Sequence, residues 1–326
     1  MLIDGINQKL LGLLQTRFSL TSKPYADLGQ NLGIPEDSVI RRIEQMKQKG
    51  LVRQISPVLD AGRLGYRTTL VAMRVTETQL DRAARLLTGH SRVSHVYERD
   101  HHYNLWFTLS VPDKADLDAE LLRLADMIEA EAAFDLPAVK VFKLRTYFSS
   151  DGDDQPEVSA GTPDGNGHQE AYLSSMDKQV INELQQDLPL ISRPFTEMSS
   201  RLGVDEERFL AQCRSLLSRG IIRRYGAAVN HREAGFAANA MTCWDVPEEM
   251  VEVIAEKLVP LRQVSHCYER KTNPKWHYNL FAMIHGHSSE QCQGIADRVA
   301  VETGLTDFVL LLSTREFKKT RVIYQV

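Results

Sequence analysis

Cysteine is scarce, four residues in 326, and Cys213, Cys243, Cys267 and Cys292 form no Cys-x-x-Cys pair. That excludes the usual cysteine-based zinc sites. All four lie in the second half of the chain, so no shared disulfide framework organises it, and reduced buried thiols are expected. A basic excess is lacking too: 39 Lys and Arg face 43 Asp and Glu, for a net charge of −4. Proteins that live on DNA usually carry such an excess, so the balance counts against DNA binding. No apolar run is long enough to span a bilayer. The first residues, MLIDGINQKLLGLLQ, offer neither a basic n-region nor a small-residue cleavage site. A cytoplasmic protein without a membrane partner is the expectation.

What the chain does have is a repeat. Pro24, Tyr25, Leu32 and Gly33 recur as Pro194, Phe195, Leu202 and Gly203. Lys49, Gly50 and Arg53 recur at the same offset as Arg219, Gly220 and Arg223. Val93 to Arg99 reappears as Val264 to Arg270, and Tyr103, Asn104 and Leu105 as Tyr278, Asn279 and Leu280. The second copy carries a short insertion between Arg270 and His277. Between the copies, Ser149 to Glu170 is rich in Gly, Pro, Asp and Ser. Such a segment cannot bury enough surface to offset its ordering entropy. It reads as a flexible tether that holds two similar copies together as an intrachain pseudo-dimer.

Each copy follows one pattern. Ile6, Leu10, Leu13 and Leu14 keep helical spacing. Leu28 and Leu32 continue it until Gly33, and a third helix places Val39, Ile43 and Met46 on one face before Gly50. Leu51 to Val58 reads as a wing strand, completing a winged helix-turn-helix. Thr69 to Val75 alternates as a strand, Leu80 to Leu87 is helical, and Val93–Arg99 and Tyr103–Val111 form a hairpin. A helix over Leu117 to Ile128 and a last strand over Val139 to Leu144 follow. The fold class is α+β, a tandem of winged helix-turn-helix and ferredoxin-like βαββαβ domains. The expected segments are 1–60 and 61–148 for copy one, 149–171 for the linker, and 172–230 and 231–326 for copy two. Copy-two strands are expected near 238–246, 264–271, 277–285 and 308–314. This architecture resembles the leucine-responsive Lrp/AsnC regulators. In that family the α/β domains pair through their sheets and bind small ligands between them, although fold alone does not fix function.

The polar chemistry gathers in the two hairpins. Copy two offers His266, Tyr268, Arg270, Lys271, Lys275, Trp276, His277, Tyr278, Asn279 and His285. Copy one offers His95, Tyr97, Arg99, His101, His102, Tyr103 and Asn104. Alternate strand residues share a face, so His266, Tyr268 and Arg270 project together. Arg and Lys suit carboxylates, Trp and Tyr offer flat faces, and His supplies a proton or an iron ligand. Together they suit a large, flat, polyanionic molecule. A second block, Arg223, Arg224, Tyr225, Gly226, Ala227, Asn230, His231 and Arg232, has fewer cations in copy one. The recognition helices begin with Pro35-Glu36-Asp37 and Asp205-Glu206-Glu207, which would repel phosphate where such helices meet DNA.

These blocks, and above all Tyr268 to Arg270 followed by Trp276 to Gly286, resemble the sirohaem decarboxylases, relatives of the Lrp-type regulators. That family usually works as two related subunits, and here both look fused, as in forms associated with haem d1. Copy one departs from the pattern by lacking the insertion. The resemblance implies a carboxy-lyase that removes two acetate carboxyls from a tetrapyrrole, sirohaem, for haem d1 or alternative haem biosynthesis. It implies no cofactor beyond the substrate's own haem iron and no protein-held metal; one of the histidines would ligate that iron. His277, His266, Tyr268, His101, His102 and His95 are the candidate acids or iron ligands. Arg223, Arg224, Arg270, Lys271, Lys275, Trp276, Tyr278, Asn279, Tyr97 and Arg99 are the candidate substrate contacts. The longer hairpin of copy two is expected to carry most of the chemistry, with His101 and His102 forming a second pocket or reaching across. A ligand-responsive regulator and a haem-binding accessory subunit stand as alternatives, and further homo-oligomerisation is left open.

Overall fold

The computed structural model describes residues 4–16, 18–144, 170–229 and 238–326. The tether therefore lies outside the described residues, apart from Glu170 and Ala171. So do Asn230, His231, Arg232, Gly235 and Phe236.

In copy one, α1 (Gly5–Thr16) buries Leu10, Leu11 and Leu14. Helix α2 (Pro24–Leu32) starts on a proline, whose fixed φ suits a first turn, and stops at Gly33 with φ 67°. Helix α3 (Glu36–Gln48) buries Val39, Ile43 and Met46, and β1 (Val52–Leu59) follows. The α/β unit runs β2 (Tyr66–Arg74), α4 (Glu77–Gly89), β3 (Val93–Arg99), β4 (Leu105–Pro112), α5 (Leu117–Ile128) and β5 (Ala132–Leu144). Copy two repeats it as α6 (Ser175–Leu184), α7 (Pro194–Arg201), α8 (Glu206–Ser218), β6 (Ile222–Val229), β7 (Ala238–Trp244), α9 (Val251–Leu258), β8 (Val264–Arg270), β9 (Leu280–Gly286), α10 (Ser289–Thr303) and β10 (Phe308–Lys319). The expected order βαββαβ is present twice. The hairpin strands β4 and β9 start later than expected, at Leu105 and Leu280, because the polar residues before them form the loops.

The last strands are also longer than the alternation suggested, and this closes the fold. Residues 132–137 of β5 pair with β2, and residues 138–144 leave copy one to pair with β8. In the same way β10 pairs first with β7 and then, from Ser313 onward, with β3. The eight strands form one closed barrel in the order β10-β3-β4-β2-β5-β8-β9-β7. Closure removes the exposed strand edges that each half would otherwise present. The helices cover the outside over apolar clusters built on Val71, Phe107 and Leu109 in copy one and on Trp244, Val264 and Ile284 in copy two.

The wing strands pair as well: β1 and β6 form an antiparallel ribbon with Ser56 opposite Gly226. Both helix-turn-helix units share one core, in which Leu10, Leu14 and Ile43 meet Val180, Leu184 and Phe195. Each such side chain contributes about 1.5–3 kcal/mol on full burial, so neither unit is an independent reading head. Glu36, at the start of α3, accepts a hydrogen bond from Ser192 Oγ of the other copy at 3.0 Å. Arg53 of β1 donates to the Lys319 carbonyl at 2.8 Å and pairs with Glu316 at 2.5 Å. Arg321 donates to carbonyls of Pro57 and Gly226. The ribbon is thereby fixed over one end of the barrel, its wing end.

Candidate functional site

The polar residues of the two hairpins separate into two groups at opposite ends of the barrel. Strands rise about 3.3 Å per residue, so His95 and Arg99 are about 13 Å apart along β3, and the loop residues lie further still. His95 and His266 belong to the wing end. His101, His102, Trp276, His277 and Tyr278 belong to the far mouth.

Between the two groups run two matching rows on the inner wall: His95, Tyr97 and Arg99 on β3, and His266, Tyr268 and Arg270 on β8. The strand order puts these two strands on opposite sides of the barrel. A register shift in each strand, at Ser94–His95 and at Ser265–His266, brings serine and histidine round together, as bulges near functional sites do. Ser94 Oγ lies 2.8 Å from His95 Nδ1, and Ser265 Oγ lies 2.6 Å from His266 Nδ1. Arg99 donates to the Leu311 carbonyl at 2.8 Å, and Arg270 donates to the Leu136 carbonyl at 2.8 Å. Each guanidinium also lies over its row's tyrosine, Arg99 at 5.5 Å from the Tyr97 ring and Arg270 at 4.9 Å from Tyr268.

Arg99 is 4% exposed. Besides Leu311, its partners are Ser313 Oγ and Met283 Sδ; no carboxylate among the described residues pairs with it, and its Nε has no partner there. Burial lowers its pKa to about 10, which still leaves it charged at neutral pH. A buried cation without an anion is costly. At the wing end, burial and then the nearby Lys319 ammonium push His95 down to about 4, and the same two causes push His285 down to about 4. Both imidazoles are neutral at pH 7. Burial raises the Tyr97 phenol, as does Glu316 beside it.

At the far mouth the insertion of copy two crosses onto copy one. Lys271 N donates to the Pro137 carbonyl at 2.9 Å, and Lys275 Nζ reaches the Ala133 carbonyl at 3.3 Å. This delivers Trp276, 3% exposed, against Tyr103, Trp106, Phe134 and Tyr278. The indole plugs the interior from that side. His101 packs on it at 5.5 Å. His102 lies 3.3 Å from Arg74. His277 is exposed and pairs with Asp307 at 3.3 Å. His277, Asp245 and Asp307 offer ligand atoms within 4.8 Å of one another, all on exposed residues. Asn279 spends its amide on the Val246 backbone, accepting at 2.9 Å and donating at 2.7 Å; Asn104 does the same to Val75. Both asparagines brace loops.

The second polar block is placed elsewhere. Arg223 pairs with the buried Asp60 at 3.0 Å. Arg224 donates to the Gln15 carbonyl at the end of α1, where a cation suits the helix dipole. Tyr225 is buried in the helix-turn-helix core. A Cβ on Gly226 would meet the Leu14 carbonyl at 2.5 Å, so only glycine fits. In the described structure this block joins the two copies, and its copy-one counterpart Arg53 is the arginine that reaches the barrel. Sequence reasoning passed over Arg53, Glu316 and Lys319, which are distant in the chain and converge only when β10 crosses to β3. A shallow groove of about 690 Å³ between Arg63, Tyr172, Asp177 and Arg219 contains none of the candidate residues.

Comparison with known proteins fits this division. Residues 7–53 and 177–223 match the family model described as Siroheme decarboxylase NirDL-like HTH domain. Residues 63–143 and 233–318 match the AsnC-like ligand binding domain. A siroheme decarboxylase from Hydrogenobacter thermophilus is 37% identical over 319 residues, covering 97% of this chain and 94% of that one. The chain belongs to the siroheme decarboxylase family. The siroheme decarboxylase beta subunit of Methanosarcina barkeri is 38% identical over 150 residues, 46% of this chain and 99% of its own, so that subunit spans about one copy of this chain. A crystal structure of siroheme decarboxylase NirDL in co-complex with an iron-uroporphyrin III analogue superposes with a TM-score of 0.74 at 33% identity, covering 99% of this chain and 95% of that one. The AsnC-like match also places the family beside the Lrp/AsnC regulators, and no helix among the described residues is long and apolar enough to cross a membrane.

Proposed function

We propose that this chain is a sirohaem decarboxylase, a carboxy-lyase that releases two acetate carboxyls of sirohaem as carbon dioxide and leaves methyl groups, in haem d1 or alternative haem biosynthesis. The observation that carries this reading is Arg99, a buried guanidinium with no carboxylate partner among the described residues, in a wall that also presents His95 and Tyr97. A polycarboxylate supplies the missing charge. Its place is along the two inner rows, between the ribbon tied over the wing end and the Trp276 plug of the far mouth.

The chemistry follows from what each group can do. The bond between an acetate methylene and its carboxylate carbon breaks, and its electron pair stays on the methylene carbon and spreads into the macrocycle. Arg99 and Arg270 hold carboxylates that remain, because gripping the departing one would stabilise the ground state. The acid that protonates the methylene carbon is His266, which stacks on Tyr268 at 6.1 Å. His95 is suited to the substrate's iron: it is neutral, as a ligand must be, and Ser94 fixes its Nδ1. A DNA-binding regulator fits less well, because both helix-turn-helix units are packed into one shared core and α3 starts on the acidic Glu36 and Asp37. Anaerobic incubation of the purified chain with sirohaem, followed by product mass, is expected to show loss of two carboxyls in sequence; binding without mass loss would overturn the enzyme reading in favour of an accessory role.

A further inference from the structure

Ser265 serves two histidines. Its Oγ lies 2.6 Å from Nδ1 of His266 and 2.7 Å from Nε2 of His285. A hydroxyl has one hydrogen to give and lone pairs to receive, so between two imidazoles it donates to one and accepts from the other. Ser265 is 1% exposed and His285 7%, and buried hydrogen-bond chains polarise one another. Copy one holds only half of this arrangement. Ser110 takes the place of His285: its backbone N–H donates to the Arg92 carbonyl at 2.9 Å, as that of His285 donates to Gln263 at 2.8 Å. The Ser110 hydroxyl turns instead to Thr68 Oγ1 at 2.9 Å. Among the described residues, the chain of three groups exists in copy two alone.

We propose that Ser265 and His285 are positioning residues that resupply the proton His266 gives to substrate, a role that rests on the decarboxylase reading above. His266 passes the proton on Nε2 to the carbon left by carbon dioxide, which becomes a methyl group. The Ser265 hydroxyl moves its proton to Nδ1 of His266, and Nε2 of His285 restores the hydroxyl. His285 takes up a solvent proton at Nδ1, so one solvent proton is consumed for each carbon dioxide released. The tautomers reset when the macrocycle is repositioned for its second carboxyl. A flat macrocycle over the pocket would shield His266 from water in front, so its proton is replaced through the Ser265 side.

Three variants test this. His285→Gln keeps an N–H where Nε2 stood, able to hold Ser265 but unable to pass a proton. Ser265→Ala removes the hydroxyl and Ser265→Thr restores it. Each is assayed for sirohaem affinity by absorbance, for the single-turnover rate of each carboxyl loss, and for the dependence of rate on deuterium fraction. The expected result is a rate loss of about 10–100-fold in His285→Gln and Ser265→Ala, with affinity within about twofold, and near-normal rate in Ser265→Thr. The wild-type rate should curve with deuterium fraction, reporting more than one moving proton, and become linear in Ser265→Ala. A wild-type rate in His285→Gln, or a linear dependence in the wild type, overturns the relay. Joint loss of affinity and rate that threonine does not restore makes the pair a structural brace and overturns it too. If His285→Gln does not fold, the two Ser265 variants decide alone. A wild type that binds sirohaem and releases no carbon dioxide sinks the decarboxylase reading and the relay with it, whereas an active wild type with indifferent variants sinks the relay only.

Discussion

The two inner rows share a backbone and differ in what surrounds them. Around His95 and Tyr97 of copy one stand Arg53, Glu316 and Lys319, a network of full charges drawn from the wing and from copy two. Around His266 and Tyr268 of copy two the pairing residues of β5 are Leu144 and Val141, and Ser265 links His266 to His285. Duplication gave both halves the same wall, and the crossing of β5 and β10 gave each wall the side chains of the other half. On the proposed reading, one wall fixes charge and the other moves a proton. That asymmetry explains why a fused pair need not contain two equal sites.

The largest effect expected from breaking this comparison is at His266. His266→Ala should lower the rate of carboxyl loss about a hundredfold or more while sirohaem still binds. His95→Ala should instead change the absorbance of bound sirohaem, with a smaller loss of rate. Stopped-flow turnover and binding spectra on both variants measure this, and the reverse pattern would exchange the roles of the two walls. Next in size is Arg99→Met. Charge-assisted contacts of this kind are worth roughly 1.5–3 kcal/mol, so sirohaem affinity should fall about 10–100-fold. The empty protein should unfold no earlier than the wild type, because an uncompensated buried cation has been removed. Unchanged affinity would mean that Arg99 is a structural tie to Leu311 and nothing more.

Much of this fold was legible in the sequence, and particular residues show where legibility ended. Gly33, Gly50 and the alternation from Thr69 to Val75 mark local structure, which is set by neighbours in the chain. The sequence pattern starts the last strand of copy one at Val139, whereas β5 starts at Ala132; Pro137 sits where β5 stops pairing with β2, so its missing N–H is tolerated. The hairpin histidines looked like one constellation because sequence distance is short, yet an extended strand turns a few residues into opposite ends of a barrel. Arg223 and Arg224 are candidate substrate contacts in the sequence, and the structure gives each of them a partner within the protein. Their carboxylate and carbonyl partners, Asp60 and Gln15, belong to the other copy and carry no signal near them in the chain.

A smaller effect is expected in the pH dependence of stability. His95 and His285 have folded-state pKa values of about 4, below the ordinary 6.5. The unfolded chain therefore binds more protons between these values. The neutral imidazoles' contribution is complete above about pH 6.5 and is lost as pH falls through about 4. Lys319 faces both rings, and Arg53 and Glu316 face His95. With both histidines replaced by Gln, the fall in Tm between pH 6.5 and 4 should be shallower than in the wild type. Parallel curves would mean that other groups dominate acid unfolding.

The smallest effect is expected at His277, and it is the sharpest test of the split between the two ends. Its side chain is 59% exposed and its partner Asp307 is 61% exposed. Exposed pairs of this kind are worth about 0–1 kcal/mol, so His277→Ala should leave Tm nearly unchanged. Turnover should change by less than about twofold, since a general acid acts only within hydrogen-bond reach of the atom it protonates. Its copy-one counterpart, His102, faces Arg74 and is equally remote from the wing end. The two variants should therefore behave alike, in contrast to His266→Ala and His95→Ala, which should not. If His277→Ala loses about a hundredfold in rate and His102→Ala does not, the reaction takes place at the mouth closed by Trp276. Arg270 rather than Arg99 would then be the arginine nearest the reacting carbon, and the insertion of copy two would be a catalytic loop instead of a plug.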